Sequence, residues 1–583
     1  MRDVSLGKDV MEKVPEDRPW FKIYEKLGIR KHIDIPEASL PELVDRAAER
    51  WPDRPSLIFY GKRITFKELA VLTKKFATAL ADLGVKKGDV VALYLPNCPQ
   101  FVIAYYGAMR LGAVVTAISP LAREREVEYQ INDSGAETLV VLDVFYPVVE
   151  SIWGRTKLRN VIVTSMADYM PSALAFLGKL LKRVPTRKVE PKPGLYLFKR
   201  LIAKYPPNPP KVEINPREDI AVFQYTGGTT GLPKAAMLTH MNLVANVYQC
   251  YEWMRAAGLK EGEEVGLAVL PWFHSYGMTT SLNIGPVAGV TEVILPRFDP
   301  KEVLEAIQKY RVTLFPGVPT LYAMLISRPD IKKYDLSSVK FCISGAAPLP
   351  PEVQKKFMEL TGGVLVEGYG LSEASPVTHG NPLDKTLKYV KIGSIGIPFP
   401  NTDAKVVDLE TGKELPPGEV GELAVRGPQV MKGYWNRPEE TAETLKNGWL
   451  LTGDIAKMDE DGYFYIVDRK KDMIKYKGHS VYPRELEDVL YEHPAVKLCA
   501  VIGKPDPMAG EIPKAFVVLK EGAKATPEEL MKFVNEKVAP YKAIRELEIV
   551  SELPLSAAGK ILRRVLKEQE LKKMEAQAKQ SPS

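Results

Sequence analysis

Cysteine is scarce in this chain: only Cys98, Cys250, Cys342 and Cys499 stand in 583 residues, all far apart. Such spacing supports neither a disulfide framework nor a metal-binding knuckle, and it reads as structural thiols in a reducing compartment. Long apolar runs are missing too. No uninterrupted stretch reaches the ~20 residues that span a bilayer, and Met1–Lys13 carries charges where a secretory signal needs an apolar core. A soluble or peripheral, cytoplasmic protein is expected. Nor does one sign of charge dominate: 80 Lys and Arg against 73 Asp and Glu leave a formal +7. That excess does not indicate a nucleic-acid partner, and anionic ligands or lipid headgroups suit it equally well. The remaining composition is that of an ordinary globular protein, 45% hydrophobic and 26% charged, in a chain too long for a single core.

Short apolar runs of strand character alternate with helical patterns. Val90–Leu95 reads as a buried strand, Gln100–Leu111 as a helix and Ala113–Ile118 as the next strand. Val293–Leu295, Thr313–Phe315 and Val339–Ile343 continue the rhythm. Strand–helix–strand alternation predicts an α/β fold of layered, mostly parallel sheets. Near Arg469 the composition turns to Lys-Lys-Asp, and a separate α+β unit follows with strands at Ala500–Ile502 and Ala515–Leu519. The expected division is a large domain over 1–468 and a smaller, mobile C-terminal domain over 469–583. The charged tail Glu568–Ser583 is expected to fray.

Tyr169–Pro210 differs from its surroundings. Met170, Leu174, Leu177, Leu181 and Val184 recur at helical spacing, with Lys179, Lys182 and Arg183 toward another face. Arg187, Lys188, Lys192, Lys199, Arg200 and Lys204 follow against the single acid Glu190. A basic amphipathic helix of this kind can lie on an anionic bilayer; the alternative is a helix packed on the domain with a solvated basic face.

The most informative stretch is Tyr225-Thr226-Gly227-Gly228-Thr229-Thr230-Gly231-Leu232-Pro233-Lys234. Bare backbone N–H groups and threonine hydroxyls can wrap phosphate oxygens, and a lysine offsets their charge. It is not a Walker loop: Pro233-Lys234-Ala235 puts proline where that motif has glycine and leaves no hydroxyl after the lysine.

With the motifs that follow it, this loop resembles that of the adenylate-forming superfamily of acyl-CoA synthetases, luciferases and adenylation domains. In order come Pro271-Trp272-Phe273-His274, Glu367-Gly368-Tyr369-Gly370-Leu371-Ser372-Glu373, Gly448-Trp449-Leu450-Leu451-Thr452-Gly453-Asp454, Asp468-Arg469-Lys470-Lys471-Asp472 and Pro554-Leu555-Ser556-Ala557-Ala558-Gly559-Lys560. The match runs from about Leu40 to about Leu566 and is nearest to long-chain fatty-acid–CoA ligases. It implies ATP, Mg²⁺ and CoA as cofactor and co-substrates. Lys560, Glu373 and His274 are the implied catalytic residues, with Mg²⁺ held by Thr226 and Glu373. Nucleotide binding falls to Thr226, Gly227, Gly228, Thr229, Thr230, Gly231, Lys234, Ala346, Glu367, Gly368, Tyr369 and Ser372. Asp454 and Arg469 resemble a ribose clamp, Lys471 a pivot, and Lys475 a residue that faces the nucleotide in a second conformation. Phe273, His274, Gly345, Ala346 and Gly370 would shape the acyl pocket; Gly478, Lys477 and His479 would border CoA.

Attack of a carboxylate on the ATP α-phosphorus needs no general base, because the acid is already ionised at neutral pH. The obstacle is repulsion between anions, so a positioned cation such as Lys560 is the chemical requirement. His274 stands where amino-acid-activating relatives carry an aspartate for the α-ammonium, which argues against amino acids. Gly370 replaces the tryptophan of acetate-activating relatives and leaves room for a longer chain. An aryl-acid or medium-chain CoA ligase is the alternative within the family, and a non-catalytic acyl- or nucleotide-binding protein the alternative outside it. The oligomeric state is left open, with a homodimer among the options.

Overall fold

A computed structural model describes residues 14–180, 185–226, 232–477, 479–555 and 561–580. The chain divides into two compact units. The first runs to residue 403 and adds 426–450; the second comprises 404–425 and 451 onward.

The first unit is α/β. Its seven-stranded sheet has the order Leu195–Leu197, Asn160–Thr164, Thr138–Leu142, Val90–Tyr94, Val114–Ala117, Ile220–Thr226, Lys234–Thr239. All neighbours are parallel except the last pair. Val90–Tyr94 is buried along its whole length, the mark of a strand covered on both faces. The helix Pro99–Met109 has every residue buried, which is why its sequence is apolar all round rather than on one stripe.

Two four-stranded sheets complete the layers. One has the order Val265–Ala268, Thr291–Ile294, Pro55–Phe59, Lys62–Thr65; the other Phe341–Ser344, Val364–Gly370, Val377–Gly380, Ile397–Pro398. Among the residues expected as strands, Thr313–Phe315 forms only an isolated bridge at Leu314, paired with Gly266 on one side and Phe341 on the other. The Thr313 hydroxyl accepts from Val265 N at 2.9 Å, so the segment is held partly by its side chain rather than by a continuous ladder.

The basic segment is broken up. A helix spans Ser172–Leu180, and Met170, expected within it, lies just before it and is buried. Leu181, Lys182, Arg183 and Val184 lie outside the described residues. The chain then forms the edge strand Leu195–Leu197 and the helix Phe198–Lys204, which buries Phe198 and Leu201 and leaves Lys199, Arg200 and Lys204 exposed. Lys192 is pinned to the domain, its ammonium 4.3 Å from the centre of the Trp153 ring.

In the second unit, Asp454–Met458, the later part of the strand Trp449–Met458, pairs antiparallel with Phe464–Arg469. A further sheet has the order His479–Val481, Ile474–Tyr476, Gly510–Leu519, Val496–Asp506, with Glu546–Ile549 parallel to Gly510–Leu519. Residues 568–580, expected to fray, continue the helix Arg563–Gln580. Its first turn is anchored by Arg563, which donates to both oxygens of buried Glu487 at 3.2 and 2.5 Å. Lys514 reaches Glu570 of the same helix at 2.8 Å.

Candidate active site

In the first unit, three of the motif segments are knitted together. The Ser372–Ala374 turn packs against the strands Ile220–Thr226 and Lys234–Thr239. Thr226 and Lys234 face each other in register, and the Thr226 hydroxyl donates to Lys234 O at 3.4 Å. Gln224 Nε2 donates to Phe273 O at 3.1 Å, tying the His274 turn to the strand that leads into the phosphate loop. Ser275 and Ser372 hydroxyls meet at 3.3 Å. Gly227, Gly228, Thr229, Thr230 and Gly231 lie outside the described residues.

Glu373 is fixed twice. Its carbonyl accepts from Met431 N at 2.8 Å, and its carboxylate accepts from the Tyr434 hydroxyl at 2.7 Å. Lys234 lies against the same tyrosine, its ammonium 5.2 Å from the ring centre and 3.9 Å from Glu440. Burial and the charge of Glu373 push the Tyr434 phenol well above its usual range, so it remains a donor. Among the described residues no group of three or more His, Cys, Asp or Glu could hold a metal by itself. The hard oxygens of Glu373 and Thr226 suit Mg²⁺ when a nucleotide supplies further oxygens.

Beside these residues the first unit contains a cavity of about 920 Å³, its mouth included, bordered by His274, Ser372, Gly345 and Ala346 and walled by apolar side chains such as Val377 and Leu383. Ala346 sits at φ +67°, a left-handed conformation that is uncommon for a residue with a Cβ and concentrates at ligand sites. Glu367 turns its carboxylate to Leu349 N at 3.1 Å, and so steadies the segment after Ala346. Gly368 and Tyr369 line the cavity, with the Tyr369 ring edge-on to His379 at 5.9 Å. Burial holds the His379 imidazole down at about 3, neutral under ordinary conditions. His274 Nδ1 accepts from Tyr276 N at 3.3 Å, which orients its ring.

Two glycines have reasons beyond openness. A Cβ on Gly370 would stand 2.1 Å from Pro376 O, so backbone proximity already forbids a side chain there. A Cβ on Gly345 would stand 3.1 Å from the Tyr276 ring, whose hydroxyl donates to Ile343 O at 2.7 Å. Cys250 also lines the cavity, and burial pushes its thiol up to about 12, as befits an inert structural cysteine.

The second unit holds the remaining candidates. Asp454 and Arg469 are direct cross-strand partners, with Arg469 Nε 3.1 Å from Asp454 Oδ1. Next to them, Glu422 accepts from Gly453 N and Lys470 Nζ, both at 3.0 Å. Lys471 and Lys475 are exposed, and Lys475 N donates to Glu511 at 2.9 Å. Lys477 takes a left-handed φ of +48° and donates its N–H to Ala509 O at 2.8 Å. His479 lies against the Tyr541 ring at 4.8 Å. Gly478 and Lys560 lie outside the described residues.

Sequence reasoning missed Tyr434, Tyr276, Ser275 and His379. Ser275 and Tyr276 directly follow the His274 motif without a signal of their own, and Tyr434 acquires its role from Glu373, 61 positions away.

Residues 44–435 match the model of the AMP-binding enzyme family, and residues 485–560 its C-terminal domain. The chain belongs to the AMP-binding enzyme family. It is 46% identical over 556 residues to the long-chain-fatty-acid–CoA ligase of Bacillus subtilis, covering 95% of this chain and 98% of that one. It is 40% identical to the enzyme of the same name from Escherichia coli O6:H1, over 93% of this chain and 96% of that one. Among solved structures, the anthranilate CoA ligase AuaEII in complex with anthranoyl-AMP superposes with a TM-score of 0.81 at 28% identity, over 93% of this chain and 99% of that one.

Proposed function

We propose that the chain is a long-chain fatty-acid–CoA ligase. A fatty carboxylate attacks the α-phosphorus of ATP, the bond to pyrophosphate breaks, and acyl-AMP forms. The CoA thiol then attacks the acyl carbon, AMP leaves, and acyl-CoA is released. The observation that carries this reading is the apolar cavity of about 920 Å³, open beside His274, Ala346 and Ser372 and next in sequence to Glu373. Its apolar walls suit a hydrocarbon tail, for which burying each methylene contributes about 0.8 kcal/mol. Mg²⁺ bound with ATP would neutralise phosphate charge at Glu373 and Thr226.

Thr226, Lys234 and the Gly227–Gly231 segment cradle the phosphates in this reading, and Ala346, Gly368, Tyr369 and Ser372 border the adenylate. Asp454 and Arg469 hold the ribose. Lys560 offsets charge during adenylation, and the domain that carries it turns about Arg469–Lys471 so that Gly478, Lys477 and His479 meet CoA.

A peripheral contact with anionic membrane belongs to the same reading. On the helix Ser172–Leu180, Leu174, Phe176 and Leu177 are 42%, 68% and 50% exposed, and basic residues follow them in sequence. Apolar side chains beside cations favour an anionic lipid surface.

The test is release of pyrophosphate and formation of acyl-CoA with palmitate, octanoate and coumarate. Preference for palmitate, dependent on ATP, Mg²⁺ and CoA, is expected. Preference for coumarate would assign an aryl-acid ligase, and no release with any acid would leave only a binding protein.

A further inference from the structure

The acyl cavity shares two of its wall residues, Trp253 and Leu383, with a second, smaller cavity of about 240 Å³, its open mouth included. Neither the residues of the His274 turn nor those of the Ser372 turn border the second space, so the shared wall stands away from the reacting end. Its other sides are formed by Leu27, Ile29, Ala256, Ala257, Pro382 and Asp384. The only carboxylate among these, Asp384, is engaged by its own turn, accepting from Thr386 N at 2.9 Å and Tyr389 N at 3.2 Å. The space is therefore lined chiefly by aliphatic and small side chains.

The wall is built to stay in place. Trp253 is 2% exposed and stacks on Phe399 with ring centres 4.3 Å apart and planes 16° from parallel. Its indole N–H donates to Asn381 O at 3.1 Å, and Tyr24 meets its edge at 6.0 Å. A Cβ on Gly380 would come within 2.8 Å of the Phe399 ring, so glycine there lets the stacked pair lie flat across the cavity. Behind it, Ala256 and Ala257 are small, and their size keeps the outer space open.

We infer that Trp253 and Leu383 form a partition that sets the upper acyl chain length, and that the cavity behind them is a latent extension of the acyl site for the distal methylenes of longer saturated acids. This rests on the ligase reading above. A rigid aromatic floor rejects a chain that is too long, because close-packed walls yield little, whereas a missing partition lets the terminal methyl continue into apolar space. In a hydrophobic pocket one methylene changes discrimination by roughly tenfold or more.

The experiment uses the full-length protein and compares kcat/KM for pyrophosphate release with octanoate, palmitate and behenate. In Trp253→Ala the behenate-to-palmitate ratio rises about tenfold or more, and Leu383→Ala, a smaller cut in the same wall, moves it the same way. Adding Ala257→Leu to Trp253→Ala refills the outer space and cancels the gain. An unchanged ratio in Leu383→Ala, together with an unchanged ratio in Trp253→Ala or failure of that variant to fold, would overturn the inference. So would a gain that Ala257→Leu leaves intact, since that would be general loosening. Absence of release by the unaltered protein with all three acids would instead refute the ligase reading, so the two failures are distinguishable.

Discussion

Tyr434 holds Glu373: its hydroxyl donates at 2.7 Å to one carboxylate oxygen, while Met431 N, three residues earlier in the same loop, binds the Glu373 carbonyl. Both ends of the glutamate are thus set from one short segment, leaving the side chain little rotamer freedom. A hydrogen bond to a charged acceptor contributes about 1.5–3 kcal/mol. Tyr434→Phe is expected to raise the Mg²⁺ concentration needed for half-maximal pyrophosphate release by about tenfold. A Mg²⁺ titration checks this, and an unmoved midpoint would separate Glu373 from the metal.

Lys560→Ala is expected to slow acyl-adenylate formation by about 10²–10³, the usual cost of losing one preorganised charge-stabilising donor. Conversion of preformed acyl-AMP to acyl-CoA should be largely spared. Rapid-quench assays of the two half-reactions measure this directly, and equal damage to both would contradict the assignment.

Glu292 is buried in the first unit, with the Ser281 hydroxyl donating to it at 3.3 Å, and burial holds its carboxyl up at about 8. The unfolded chain ionises this group near its ordinary value of 4.5, while the folded one keeps the proton up to about 8. Folding stability is therefore fully present below the lower value and declines as pH rises through the window between them. Glu292→Gln, which stays neutral, should stabilise the protein by about 3 kcal/mol near neutral pH and by much less near pH 5. Urea unfolding midpoints at the two pH values check the sign; a gain that is larger at the acidic end would show that the carboxyl is ionised in the fold.

Gly370→Ala places a Cβ 2.1 Å from Pro376 O, whereas Gly345→Ala meets a Tyr276 ring atom at 3.1 Å. Backbone cannot yield as a side chain can, so Gly370→Ala should lose about 1–3 kcal/mol of stability or more, and Gly345→Ala less. Thermal melting of the two variants compares them, and equal melting temperatures would show that the strand around Gly370 relaxes.

Phe176→Ser combined with Leu177→Ser should weaken binding to vesicles of anionic phospholipid by roughly tenfold or more, given about 1.5–3 kcal/mol for burying each large apolar side chain. Cosedimentation reads the effect. Unchanged binding would remove the Ser172–Leu180 helix from any membrane contact.

Local patterns in the chain were enough to determine the α/β alternation around Val90–Tyr94 and Val114–Ala117, because period and apolar content are local properties that burial on both faces imposes directly. The resemblance to the family was legible as well, because it is carried by motifs of contiguous residues that follow one another in order along the chain. Where the outcome depended on a distant partner, the sequence was silent. Leu314 is a bridge rather than a strand, and residues 568–580 are helix because Lys514 and the Arg563–Glu487 pair anchor them. Tyr434 meets Glu373 across 61 positions, and Trp253 stacks on Phe399 across an even longer separation. Only tertiary packing decides such pairings, since a side chain's neighbours are set by how sheets and helices stack and not by the residues next to it in the chain.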